Sequence, residues 1–379
     1  MKRTYKYRIY PTYKQITILE QALDGCRWLY NHLLEQRKTL WESDKKSISC
    51  FDQCNIFKQL KQENPFLIEI HSQVLQNVAT RIDLAFQAFF RRIKSNKEPG
   101  YPRFRGKFRY DSFTYPQSGF KVYDKYVKLS KIGNVKINLH RPLESIPKTC
   151  TIKRTSTDKW FVSFVCDIKR ESIDQPVNPA IGIDMGLEYF ATLSNGEQIE
   201  NPRFFRKEEK SLAKAQRKLS AQEKGTIKRK KARKVVSHIH ERITNKRHNF
   251  VHQESRKLIN RFNIICVEDL SINDMKKDNF RCINKSIGDV AWRMFLNQLK
   301  FKAEDAGKKL IEVNPAFTSQ TCNRCGNRQK LKLSDRMYYC PCCSLSLNRD
   351  HNASLNILAL GLQSIGTQSV EVLAFRCGE

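Results

Sequence analysis

Two Cys-x-x-Cys pairs, Cys322-Asn-Arg-Cys325 and Cys340-Pro-Cys-Cys343, lie fourteen residues apart near the C-terminal end of the chain. Two residues between thiolates let both sulfurs face one ion, and two such pairs make up a tetrahedral four-thiolate site. Four soft sulfurs suit Zn²⁺, which brings no redox chemistry of its own. Cys342 could replace Cys343 as a ligand, although the two-residue spacing favours Cys340 with Cys343. Such an ion contributes on the order of 10 kcal/mol or more to folding, enough to order a module too small for its own core. A site closed by four thiolates has no position open to water, so this metal is expected to be structural. Thirteen cysteines, an odd number at uneven spacing, also argue for metal rather than a disulfide framework.

Acidic residues offer a second chemistry. Cutting a phosphodiester needs an activated water and relief of charge on the leaving oxygen, and two divalent ions roughly 4 Å apart provide both. Hard ions such as Mg²⁺ take carboxylate oxygens. Carboxylates that follow apolar strands are therefore candidates: Asp184 after Ile181-Gly-Ile, Glu268 after Ile264-Ile-Cys-Val, and Asp350 at the start of the last helix. Singly each is ordinary, since a strand-end acid is usually solvated and an Asp at a helix start can serve as the cap. Two carboxylates abutting buried strands and a third behind a metal module, in a strongly basic chain, matter as a combination.

The elements that must position these residues are legible from periodicity. Residues 2–10 alternate basic with aromatic or apolar types and predict a strand ended by Pro11. Ile16, Leu19, Leu23, Cys26, Tyr30 and Leu33 share one helix face, as do Val74, Val78, Ile82, Phe86, Phe89 and Ile93. Beyond Pro99-Gly100, residues 101–167 predict short antiparallel strands turned at Gly106, Gly119 and Ile132-Gly-Asn134, a small barrel or sheet. The run Tyr101–Arg109 interleaves cations with rings, as either a base-stacking surface or a half-buried strand would. Asp174–Ala180 reads as a linker. Strands are predicted at 180–186, 187–194, 262–267 and 309–313, helices over 289–306 and from Asp350, and an untethered tail from about Gly361.

Charge narrows the partners. The 379 residues hold 69 Lys and Arg against 38 Asp and Glu, a net +31, with 40% hydrophobic residues for real cores. About half of that surplus falls in 203–261, where twenty Lys and Arg face five Asp and Glu over a helical pattern that Gly225 divides. So lopsided a helix requires counterions, and nucleic acid is the polyanion expected to supply them. The opening Met-Lys-Arg-Thr-Tyr-Lys-Tyr lacks the apolar core of a signal peptide, and no run reaches the ~18 apolar residues of a membrane span, so a soluble intracellular protein is expected.

At these residues the sequence resembles the TnpB family, the transposon-borne nucleases related to type V CRISPR effectors. Gly182-Ile-Asp-Met-Gly186, Val267-Glu-Asp-Leu270, Asn348-Arg-Asp-His-Asn-Ala-Ser354 and Ser319-Gln-Thr-Cys-Asn-Arg-Cys-Gly326 carry the likeness. Tyr7–Pro11, Trp28–Asn31, Gly100–Phe104, Lys131–Val135 and Leu212–Leu219 extend it over about residues 1–360. One departure is Ser344, where the family usually has Gly after the last zinc cysteine.

The resemblance implies an α/β plus all-β architecture. A ribonuclease H-like (RuvC) nuclease domain, 178–317 and 346–362, would carry an inserted four-cysteine zinc ribbon at 318–345. A wedge-type β-barrel, 1–10 and 100–173, would precede it, with a helical recognition domain inserted at 11–99 and a C-terminal tail at 363–379. Asp184, Glu268 and Asp350 are expected to hold Mg²⁺, as two ions, and Cys322, Cys325, Cys340 and Cys343 to hold Zn²⁺. The implied activity is cleavage of DNA beside a short target-adjacent motif, directed by a guide RNA from the transposon end. Partners would be guide RNA and target DNA, with no membrane, for a monomer carrying one RNA in the prokaryotic cytoplasm. A transposase joining strands with the same acids, or a non-catalytic DNA- or RNA-binding regulator, are the alternatives.

Overall fold

The computed structural model describes residues 2–107, 109–168, 179–270, 281–332 and 335–366, the side chains of 281–283 excepted. The chain folds as two units, 1–170 and 171–379. Most of the expected linker at Asp174–Ala180 and the tail from residue 367 lie outside the described residues.

In the first unit β1 (Lys2–Tyr10) is followed by α1 (Tyr13–Asp44), α2 (Cys50–Asn55), α3 (Phe57–Glu63) and α4 (Ser72–Lys94). Strands β2 (Ser112–Tyr115), β3 (Phe120–Val122), β4 (Tyr126–Leu129), β5 (Gly133–Asn138), β6 (Pro147–Arg154) and β7 (Trp160–Asp167) complete it. Thr12 stops the strand and starts the helix, its hydroxyl accepting from the Gln15 N–H while the Gln15 side chain accepts from the Thr12 N–H. The seven strands form one antiparallel sheet in the order β2-β6-β7-β1-β5-β4-β3, so the N-terminal strand sits at its centre although four helices separate it from the others. Alternation along β1 sends Tyr5, Tyr7 and Ile9 into the core, where they meet Phe164 and Val162 of β7 and the α1 and α4 faces. The sheet is nearly closed rather than a complete barrel. Its end strands β2 and β3 do not pair, but Tyr115 and Phe120 approach to 6.5 Å between ring centres. Strands begin only at Ser112: residues 101–107 are irregular, because Pro102 and Gly106 interrupt any ladder, and Tyr101 and Phe104 are exposed.

The second unit opens with β8 (Ala180–Asp184), β9 (Tyr189–Leu193) and β10 (Gln198–Glu200). A helical hairpin, α5 (Phe204–Ser220) and α6 (Ile227–Arg261), follows and turns at Gly225, whose φ of +93° requires glycine. Then come β11 (Ile264–Glu268), α7 (Arg281–Val290), α8 (Trp292–Asp305), β12 (Lys309–Val313), β13 (Met337–Tyr339), β14 (Ser346–Asn348) and α9 (Arg349–Ser364). The five-stranded sheet runs β10-β9-β8-β11-β12, with β8, β11 and β12 parallel and β9 and β10 antiparallel. All five residues of β11 are buried, as a central parallel strand covered on both faces requires. One face packs on α6 and α8 through Phe190, Val251, Leu258 and Phe295, the other on α9 through Cys266 and Ile357.

Two expectations are corrected here. The helix predicted over 289–306 is two helices, broken at Ala291 in the left-handed region (φ +63°). The chain is not loose from Gly361: α9 continues to Ser364, and Gly361 is buried so tightly on β11 that an added Cβ would lie 2.2 Å from Cys266 Sγ.

Charged side chains also build the second unit. Asp289 accepts from the Phe205 and Arg206 N–H groups at the start of α5, at 2.8 and 3.2 Å, and pairs with Arg247 of α6 at 2.7 Å. Lys302 of α8 is only 6% exposed and donates to the His252 carbonyl (2.7 Å) and Ser255 Oγ (2.8 Å) of α6. Burial, with a smaller contribution from Arg256, brings its ammonium down to about 8. Between that value and the ordinary lysine range near 10.4, the unfolded chain holds a proton that the folded chain has released. Stability therefore rises with pH across this window, by up to about 3 kcal/mol. Urea unfolding of Lys302→Met is expected to lose that alkaline rise relative to the natural chain; an equal rise in both would contradict the assignment.

Candidate active site and metal centre

The register of two strands brings the first two acids together. Ile183 of β8 pairs with Val267 of β11 in a parallel ladder, and Asp184 and Glu268 are the next residues along each strand. Glu268 also stands opposite Val313 of β12. The third acid arrives on α9, which packs across β8 and β11. Gly182 makes that approach possible, since an added Cβ would lie 2.1 Å from the Ser354 carbonyl oxygen. Asp350 does not cap its helix. Asn348 does so, its Oδ1 accepting from the N–H groups of Asp350 (2.9 Å) and His351 (3.2 Å), which leaves the Asp350 carboxylate to face the turn after β8. A Cβ placed on Gly186 would lie 3.9 Å from Asp350 Oδ2.

The electrostatics record the gathering. Burial pushes the Asp184 carboxyl well above the usual carboxylate range, and the charges of Glu268 and Asp350 push it further, against the pull of Arg349 and the Met185 N–H. Burial raises Glu268 and is offset in part by the Thr318 hydroxyl, which donates to Oε1 at 2.5 Å. Burial raises Asp350 as well, while Arg336 and Arg349 lower it. Burial and two neighbouring carboxylates thus make Asp184 costly to ionise, a cost that a bound divalent cation, matched in hardness to the oxygens, would remove. Among the described residues only the four cysteines bring their ligand atoms close enough to share one ion. Arg336 pairs with Glu188 at 3.2 Å, and both line a cleft with Arg203 and Arg206.

Cys322, Cys325, Cys340 and Cys343 form one cluster in which the sulfurs all lie within 4.8 Å of one another. Cys322 and Cys343 are 3.6 Å apart and Cys325 and Cys340 3.5 Å, sulfur to sulfur. Four sulfurs about 2.3 Å from a central ion would be about 3.8 Å apart in a regular tetrahedron, so the cluster fits a tetrahedral metal closely. Both knuckles use the same turn: Gly326 N–H donates to the Cys322 carbonyl and Ser344 N–H to the Cys340 carbonyl, with φ at +75° and +57°. Ser344 thus adopts the left-handed conformation that the usual glycine would hold, at a strain of roughly 1 kcal/mol. Burial raises the Cys322 and Cys325 thiols; it also works against ionising Cys340, but the N–H groups of Cys343 and Cys342 and the neighbouring Cys325 and Cys343 thiols outweigh it and hold that thiol below its ordinary range.

Sequence reasoning missed the residues that support this geometry: Gly182 beneath α9, Gly361 on the face of α9 against β11, Thr318 on Glu268, and Asn352 and Asn356 on the turn before Cys322. A lone glycine between isoleucines in a buried strand, and two asparagines four apart on one helix, were the available signals. Among the described residues no helix is long and apolar enough to cross a membrane.

Comparison with known proteins gives these positions a context. Residues 163–279 match the family described as "Probable transposase", residues 292–357 the family "Cas12f1-like, TNB domain", and residues 1–46 a family named "Helix-turn-helix domain". In this chain that last stretch is β1 and α1. The "Putative RNA-guided DNA endonuclease" of Streptomyces pristinaespiralis is 34% identical over 372 residues, covering 96% of this chain and 90% of the relative. "Putative RNA-guided DNA endonuclease InsQ" of Escherichia coli (strain K12) is 30% identical over 385 residues, covering 95% and 93%. The protein in a cryo-EM structure of a Cas12f1-sgRNA-target DNA complex shares the fold at a TM-score of 0.60 and 14% identity, over 94% of this chain and 98% of that one.

Proposed function

Since the chain belongs to the TnpB family of transposon-associated proteins, we propose that it is an RNA-guided DNA endonuclease with a RuvC-type, ribonuclease H-like active site. Asp184, Glu268 and Asp350 would hold two Mg²⁺ ions. Bound divalent ions supply an activated water and relieve charge on the leaving 3′-oxygen of a phosphodiester. The protein's own part is to bring three largely shielded carboxylates together, fix Glu268 through Thr318, and offer the cations of the neighbouring cleft to the DNA backbone. The first unit would act as wedge and recognition domains, and the basic α5–α6 hairpin would hold RNA or heteroduplex phosphates. Cys322, Cys325, Cys340 and Cys343 would hold a structural Zn²⁺; metal analysis of the purified protein is expected to find about one zinc per chain, and zinc-free folded protein would contradict that assignment.

The observation that carries the reading is the convergence of Asp184, Glu268 and Asp350, one buried and two partly buried, in a chain of net charge +31. Sequencing the nucleic acid that co-purifies with the protein tests it. One defined RNA ending in sequence from outside the element is expected; protein free of RNA, or carrying random cellular RNA, would contradict it. The "Probable transposase" match favours a second reading, DNA strand transfer. Joining of transposon ends by the protein without RNA would establish that instead.

A further inference from the structure

The turn between β12 and the cysteine module touches both acidic elements. Thr318, 5% exposed, donates its hydroxyl to Glu268 Oε1 at 2.5 Å, the Pro315 carbonyl being the more distant acceptor at 3.2 Å. An ionised carboxylate accepts on both oxygens, so this contact engages Oε1 and leaves Oε2 for another partner. The same turn is held from the other side by α9. Asn356 Nδ2 donates to the carbonyls of Thr318 (2.8 Å) and Thr321 (2.7 Å), and Asn352 Nδ2 donates to Thr321 (2.7 Å). Asn352 is fully buried, and its Oδ1 accepts the Asn323 N–H at 3.1 Å, next to the metal-cluster residue Cys322. Asn352 and Asn356 lie about half a turn and about one and two-thirds turns along the helix from Asp350.

We infer that Thr318 is a positioning residue for Glu268, and that Asn352 and Asn356 clamp its turn so that the cysteine module, Glu268 and Asp350 are set as one assembly. The inference rests on the reading of Asp184, Glu268 and Asp350 as divalent-ion ligands. Thr318 fixes which oxygen of Glu268 faces the ion. The two amides transmit that fixing to α9, so that the separation of Glu268 from Asp350 is determined by hydrogen bonds rather than by packing alone. Valine has the shape of threonine without the donor, and serine keeps the donor without the methyl, which separates the hydroxyl's role from its volume.

The test is Mn²⁺ binding to the purified protein–RNA complex, read from the free-ion electron paramagnetic resonance signal, with DNA cleavage measured in parallel. Thr318→Val is expected to weaken Mn²⁺ binding and slow cleavage by about tenfold each, the lower end of what a lost ligand-orienting hydrogen bond produces. Thr318→Ser is expected to stay within about twofold of the natural chain. Asn356→Ala, which leaves the hydroxyl in place but frees the turn, is expected to shift Mn²⁺ binding in the same direction and guards against a fold defect specific to valine. Mn²⁺ affinity within twofold of the natural chain in both Thr318→Val and Asn356→Ala would overturn the proposal. So would a loss in Thr318→Ser equal to that in Thr318→Val. Failure of the underlying reading has a different signature: the natural chain and Asp184→Asn would then bind Mn²⁺ alike.

Discussion

Asp184→Asn is expected to reduce RNA-directed DNA cleavage by roughly three orders of magnitude, the scale of losing a central member of a catalytic constellation, while RNA binding is retained. The direction of the stability change separates a functional role from a structural one. In the natural chain the Asp184 carboxyl is held above its ordinary range first by burial and then by Glu268 and Asp350. Replacing it with an amide of the same shape removes a charge that is costly to bury and is repelled by its neighbours. Without divalent ions, thermal unfolding of Asp184→Asn should therefore occur at the same temperature as the natural chain or higher. With Mg²⁺ present the natural chain should gain more, because an ion that binds only the folded state stabilises it. A stable variant that no longer cuts is the signature of a carboxylate kept for chemistry. Cleavage within tenfold of the natural rate would remove Asp184 from the active site.

Gly182→Ala carries the second largest expected effect, without altering any candidate ligand. The added methyl would lie 2.1 Å from the Ser354 carbonyl oxygen and 2.8 Å from the Leu358 nitrogen and Cβ. Two of those three atoms are helix backbone, so the helix must move as a body rather than a side chain turning aside. Overpacking of this kind destabilises by about 1–3 kcal/mol, and more where the neighbour is rigid. Asp350 lies one turn before Ser354 on the displaced helix. A shift of about 1 Å at a reacting centre lowers rates by on the order of 100-fold, so cleavage should fall by that amount while the four-cysteine cluster keeps its metal. Gly225→Ala is the useful comparison: its strain is confined to an exposed hairpin turn with no atom within 4 Å of the added methyl. Equal cleavage by Gly182→Ala and the natural chain would show that α9 is not held to β8 as described.

The sequence made much of this legible because the site is written in residue types. Paired thiolates two apart have few cheaper explanations; acids after apolar strands are ordinary singly, and it was the combination of Asp184, Glu268 and Asp350 with the four cysteines that marked the candidate site. Strand and helix periods placed β1, β8, β9, β11 and β12 within a few residues, but gave β2–β7 only as a stretch of short strands. What was hidden depends on tertiary approach. Thr318 is an ordinary threonine until the turn after β12 folds back on Glu268. Asn348, rather than Asp350, caps α9, which only the path of the preceding strand decides. The break falls at Ala291 itself rather than at Gly288 three residues earlier, and the burial of Gly361 is set by Cys266 on another element. The interleaved Tyr101–Arg109 run suggested a strand by composition, but its proline and glycine prevent a ladder.

The most direct test of the central claim is to exchange the guide. Protein produced with an RNA whose targeting segment has been replaced should, with Mg²⁺, cut a plasmid bearing the new matching sequence and spare the old one, and should do so only when the adjacent motif is present. Cleavage that ignores the exchange, or that proceeds equally without RNA, would contradict RNA guidance.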